Sequence, residues 1–244
     1  NVATRETAAD SRDAIAFRSE AVDGVAELIE TENRHGTGDP AAVADGINAT
    51  GPLVDRQQAR AGVVANISFN GTTEGHRVTA ALDTSGDWTV VESLDDARNF
   101  TVRVDPGSLS DDPTDAFGVR FVNDSGENVT QYLYDDSGDL VVEQTIDGGA
   151  ANEQCRIAHD DTTTTVDLSG SRLSTDDSEV DCFRGLWPDE PPEAIEFRNG
   201  DAAAGTFAVT VDGDSSPTVG STDVVYAATV DLTYRTPEVD FETT

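Results

Sequence analysis

"FVNDSGENVTQYLYDDSGDL", residues 121–140, decides how the chain is read. A run rich in β-branched and aromatic residues, "NVTQYLY" (128–134), is bounded on one side by Asn-Asp-Ser-Gly and on the other by Asp-Asp-Ser-Gly-Asp. Those bounding residues tolerate positive φ and close tight turns, so the stretch predicts a strand between two turns. The next run, "LVVEQTI" (140–146), ends at Asp147-Gly148 and predicts the returning strand.

The same pattern extends outward in both directions from Val63. The segments 63–69, 76–82, 87–93, 99–105, 116–122, 155–159, 163–169, 194–198, 205–211 and 224–234 are each short, rich in β-branched or aromatic residues, and bounded by Gly, Asp, Asn or Pro. With the two runs above, this predicts about a dozen strands. Spacing of this kind fits antiparallel sheets packed as a sandwich better than βαβ units. The terminal run 224–242, interrupted by Pro237, is expected to pair within its own subunit. The loop "WPDEPPE" (187–193) could mark a subdivision.

Before Val63 the period changes. In 10–33, Ile15, Phe17, Ala21, Val22, Val25, Leu28 and Ile29 fall on one broad helical stripe, with Asp10 or Ser11 as cap and Gly36 and Gly38 as the stop. The segment from Asp39 opens with Pro40 and contains Gly51-Pro52, which predicts two short helices. The fold class is therefore mainly β with an N-terminal α-helical segment. Residues 1–62 form the helical part, and 63–244 form an antiparallel β-sandwich-like head.

Composition narrows function. The 244 residues carry 48 acids against 15 bases, all of them Arg, for a net charge of -33. Such a surface repels itself in dilute buffer and is tolerated when salt screens it, so the chain reads as halophilic. Nucleic acid and anionic membrane surfaces are excluded as partners, since both require a basic face. The absence of Lys excludes P-loop, Schiff-base and Ser-Lys chemistry. No hydrophobic run approaches the length of a membrane span, and the start at Asn1 reads as a processed or trimmed end, ahead of which a membrane-spanning segment could stand.

Two cysteines, Cys155 and Cys182, are assigned to a disulfide, with a pair of buried thiols as the alternative. Six Asn-x-Ser/Thr triplets, at Asn48, Asn66, Asn70, Asn99, Asn123 and Asn128, are candidate glycosylation sites, where chance supplies about two. Asn70, Asn123 and Asn128 adjoin turn signals and are the ones expected to be accessible. His35, His76 and His159 show no metal-ligand spacing. The acid clusters 135–139, 160–161 and 176–177 match no calcium loop and read as solvated surface. No cofactor is expected, and no catalytic motif is present. His159-Asp160 beside a Thr run reads as a polar hairpin end.

The segments "RDAIAFRSEAVDGVAELIETEN" (12–33), "ARAGVVANISFNGTTEGHRV" (59–78), "DWTV", "FTVRVD", "IEFRNGDAAAGTF" and "YAATVDLTYRTPEVDF", with the cysteine-bearing strand pair, together resemble secreted haloarchaeal proteins of type IV pilin kind. The resemblance covers most of the chain. It implies an amphipathic helix at 10–33 continuing a preceding hydrophobic helix, a β-rich extracellular head, and a non-enzymatic subunit of a cell-surface filament. Its partners would be other copies of itself or related subunits. The alternative is an extracellular adhesion module in which Trp88, Trp187, Tyr132 and Tyr134 recognise a glycan or protein.

Overall fold

The computed structural model describes residues 2–35, 38–59, 62–82, 86–159, 163–183, 192–236 and 240–243. Two helices and fifteen strands, numbered in chain order, build it. They are α1 (Val2–His35), α2 (Pro40–Ala59), β1 (Val64–Ala81), β2 (Trp88–Glu92), β3 (Ala97–Asp105), β4 (Phe117–Val122), β5 (Asn128–Asp136), β6 (Asp139–Ile146), β7 (Asn152–Ala158), β8 (Thr164–Asp167), β9 (Arg172–Ser174), β10 (Glu179–Asp181), β11 (Ala194–Arg198), β12 (Ala204–Asp212), β13 (Ser216–Pro217), β14 (Ser221–Arg235) and β15 (Asp240–Thr243). The chain divides into two compact units, 1–74 with 223–244, and 75–222. The expected boundary at 62/63 falls inside the first of these.

In the first unit, α1 starts at Val2, well ahead of the cap expected at Asp10 or Ser11. The added turns, "VATRETAA", contain no Gly or Pro and are rich in Ala, so nothing in them interrupts the helix. Ala14, Phe17 and Val25 are buried and Ala21 and Leu28 half-buried, spaced three or four apart on one face. Ile15 and Val22, expected on that stripe, lie outside it and are 70% and 50% exposed.

The expected pair of short helices after Asp39 is a single helix, α2, that carries Pro52 in its interior. Asp39 caps its start, the carboxylate accepting from the Ala41 N–H at 2.8 Å, with Pro40 in the first turn. Pro52 is exposed, so its ring disturbs only the solvent side. Gly51 faces inward, where a Cβ would stand 2.6 Å from the Ile67 carbonyl oxygen, so only glycine lets α2 approach β1 this closely. At the end of α1, the Asn33 amide meets the β14 backbone twice, donating to the Val225 carbonyl at 2.7 Å and accepting the Val225 N–H at 3.0 Å. β15 folds back antiparallel onto β14, pairing Arg235 with Asp240 and Leu232 with Thr243.

The second unit is a two-layer antiparallel β-sandwich. One layer has the order β10-β9-β8-β3-β12-β1, the other β13-β2-β11-β4-β5-β6-β7. The inward residues of both layers form one hydrophobic core that includes Val78, Val102, Phe121, Leu133, Val166 and Val209. Phe197 on β11 meets Phe207 on β12 edge-to-face at 4.9 Å, and Phe100 on β3 meets Phe121 on β4 at 6.0 Å. The "DDSGD" turn joins β5 to β6 with positive φ at Ser137 and Gly138, and Asp147-Gly148 opens the next turn in the same way.

Cys155 and Cys182 form a disulfide with a Cα–Cα distance of 5.1 Å. Cys155 lies on β7 and Cys182 directly follows β10, so the bond joins the outermost strand of one layer to that of the other. On the chain-entropy account, closing a loop of this length contributes about 3 kcal/mol. The Cys155→Ser/Cys182→Ser variant should therefore unfold at a clearly lower denaturant midpoint, with a slope no smaller than the native one because its unfolded chain is less constrained, as read by circular dichroism.

Candidate functional site

The carboxylates and aromatics marked by the sequence take mainly structural roles. Asp135 accepts the Gly138 N–H at 2.8 Å and lies 3.3 Å from the buried His159 ring. Asp136 and Asp139 meet Arg156 at 3.0 and 3.2 Å, so the cluster 135–139 closes a hairpin and pairs with one cation. Asp176-Asp177 is exposed in the bend between β9 and β10, and Asp160-Asp161 lies outside the described residues. Among the described residues no group of three or more His, Cys, Asp or Glu is placed to hold a metal.

The six sequon asparagines occupy different settings. Asn48 is exposed on α2, Asn66 is exposed on β1, and Asn70 is exposed with its amide donating to Asp231 at 3.0 Å. Asn99 is exposed at a left-handed position (φ 50°) where β3 shifts register against β12. Asn128 is half-buried at the start of β5. Asn123 is 3% exposed, and its amide nitrogen, the atom a glycan would occupy, donates to Glu127 at 2.9 Å while its oxygen accepts from Ser125 and the Glu127 backbone. A sequon seated in a turn can thus have its acceptor nitrogen turned inward by the turn itself.

Of the four aromatic residues marked as binders, Trp88 packs edge-to-face on Phe197 at 5.2 Å and joins the core, and Trp187 lies outside the described residues. Tyr134 is buried and donates to Glu143 at 3.0 Å; burial, then Glu143, push its phenol up to about 12. Tyr132 stands half-exposed on the outer face of its sheet, whereas the partly buried Trp88 packs against the core. Its ring lies across Gly118, where a Cβ would come within 3.1 Å of two ring carbons.

Around Tyr132 lies a shallow groove of about 440 Å³ lined also by Arg120, Arg198, Thr130, Thr145 and Asn128. Glu196, next to Arg120 and Arg198 at 3.3 and 3.5 Å, is raised above the usual carboxylate range by burial first and Asp87 second. Asp87 is lowered, chiefly by the Asn199 backbone N–H at 3.1 Å and then by its ion pair with Arg198. The arrangement places donors and acceptors beside an aromatic ring. Its charged groups Arg120, Arg198, Asp87 and Glu196 are held in ion pairs, while Asp147 accepts the Asn128 N–H at 2.8 Å.

Compared with family models, curated proteins and solved structures, the chain matches none.

Proposed function

We propose that this chain is a non-enzymatic structural subunit of a pilin-like filament or related envelope assembly on the surface of a halophilic archaeal cell. The observation that carries the reading is on α1. Ile15 and Val22 stand seven residues apart, hence on one side of the helix, and remain exposed although the neighbouring stripe is buried. A helix with one apolar stripe against its own unit and a second facing outward is built to pack against another helix. The disulfide supports an extracellular location, since such bonds persist in oxidising compartments.

Replacing both exposed residues in the full-length protein, Ile15→Asp with Val22→Asp, should abolish surface filaments seen by electron microscopy of the producing cells. Melting temperature should change little, because neither side chain is in the core. Intact filaments in that strain would overturn the reading. The Tyr132 groove favours the second reading, an adhesion module, to the extent that one aromatic platform with flanking polar groups suits a glycan.

A further inference from the structure

Arginine is scarce in this chain, and in the β-rich part most of the described arginines meet a carboxylate. Of the eight described arginines after residue 62, Arg98, Arg120, Arg156, Arg172, Arg198 and Arg235 each lie within 4 Å of a carboxylate. The two without such a partner among the described residues are Arg77 and Arg103, and they line the same hollow, of about 380 Å³, on the outer face of the sandwich. Thr79, Ala80, Thr101, Thr206, Phe207 and Ala208 complete its walls, and none of its lining residues is acidic.

The strand register explains the placement. Val78, Val102, Phe207 and Val209 point into the core, so their neighbours Arg77, Thr79, Thr101, Arg103, Thr206 and Ala208 point out. Arg103 pairs with Thr206 on one side of β12, and Arg77 with Thr210 on the other. The two backbones are thus offset by four β12 positions, roughly 13 Å along the strand at 3.3 Å per residue. In a chain with 48 acids, a carboxylate-free surface between two uncompensated guanidiniums is a marked departure from its surroundings.

The chemistry of the lining selects the ligand. Guanidinium offers only donors and keeps its charge, and threonine hydroxyls add donors that can turn to a partner. Carboxylate and sulfate oxygens satisfy such a surface, and the offset suits two anionic groups on one molecule better than one small ion. β12 and its neighbours β1 and β3 are paired on both sides, so no backbone edge is open for a peptide to add a strand. Phe207, the aromatic residue of the lining, is 2% exposed and turns its ring onto Phe197 in the core, so the hollow presents no ring on which a base could stack.

We propose that this face binds an acidic polysaccharide through its carboxylate or sulfate groups, with Arg77 and Arg103 each meeting one group and the threonine hydroxyls meeting sugar oxygens.

Affinity electrophoresis in high-salt buffer, through gels carrying polygalacturonate, dextran sulfate, neutral dextran or poly-glutamate, tests it. At least one acidic polysaccharide should retard the native chain, and neutral dextran should not. Retardation should weaken about tenfold or more in Arg77→Gln/Arg103→Gln, and measurably in each single variant. It should be unchanged in Arg172→Gln, whose partner is Glu179. Melting curves of each variant separate lost binding from lost folding, and Thr101→Val/Thr206→Val, which keeps both charges, should also weaken retention. Absence of retardation by either acidic polysaccharide, equal retardation of the double arginine variant, equal retention by poly-glutamate, or complete displacement by inorganic sulfate at the same anion concentration would each overturn the proposal.

Discussion

Replacing Asp212 with Ala is expected to destabilise the sandwich by about 4–5 kcal/mol, because this one carboxylate accepts five hydrogen bonds at a nearly buried position. The backbone N–H groups of Asp95 and Asp96 reach it at 3.1 and 3.0 Å, those of Asp214 and Ser215 at 2.9 and 3.1 Å, and the Ser215 hydroxyl at 2.6 Å. It thereby ties the loop before β3 to the turn after β12, and without it these donors are left in a site that is 9% exposed at its centre. Burial alone would raise this carboxyl, but the hydrogen bonds from Ser215, Asp96, Asp95 and Asp214 outweigh burial and hold it below the ordinary value of 3.8. A depressed folded-state value means the stabilisation is present above pH 3.8 and is lost as pH falls through the lower folded value. In high salt, thermal melts of the native chain should fall steeply below about pH 4, and Asp212→Asn should start lower and lose part of that acid slope. Equal stability of Asp212→Ala and the native chain at neutral pH would refute the assignment.

Removal of salt is expected to have the larger effect on the molecule as a whole. The net charge of -33 leaves most carboxylates without a cation, and Arg156 alone is shared among Asp136, Asp139 and Glu153. At about 0.01 M ionic strength repulsion reaches roughly 30 Å, most of the width of a domain, whereas at about 1 M it reaches roughly 3 Å. Dialysis from molar to millimolar salt should unfold the chain outright or lower its melting temperature by roughly 20 °C or more. A melting temperature indifferent to salt across that range would contradict the charge argument.

Much of the sandwich was legible because a half-buried strand alternates and a turn needs particular residues. "NVTQYLY" and "LVVEQTI" pair across "DDSGD", and positive φ falls at Ser137 and Gly138, where the residue types predict a turn. The same turn signal misleads at Asn70-Gly71, where two expected strands form one of eighteen residues. Gly71 has no positive φ there, and Asn70 reaches across to Asp231 on β14. Composition cannot show that a neighbouring strand holds the backbone straight. Gly51-Pro52 predicts a helix break because local propensity disfavours it, yet the proline ring faces solvent and the glycine fills a contact that has no room for a side chain. Asp212 was invisible for another reason. One acid among 48 gives no sign that five donors converge on it, and the same abundance hides the acid-free surface beside Arg77 and Arg103 until the register is known.

The disulfide has a mechanical meaning distinct from its effect on equilibrium. Because it spans a 27-residue separation and joins the outermost strands of both layers, the segment between Cys155 and Cys182 cannot be drawn out when the chain is stretched by its ends. Fully extended residues add about 3.4 Å each, so roughly 90 Å of length is withheld under tension even after every sheet has parted. A chain of such units under shear would yield by a shorter step when oxidised than when reduced, and the covalent loop would remain as a folded-length remnant around which the two layers can close again.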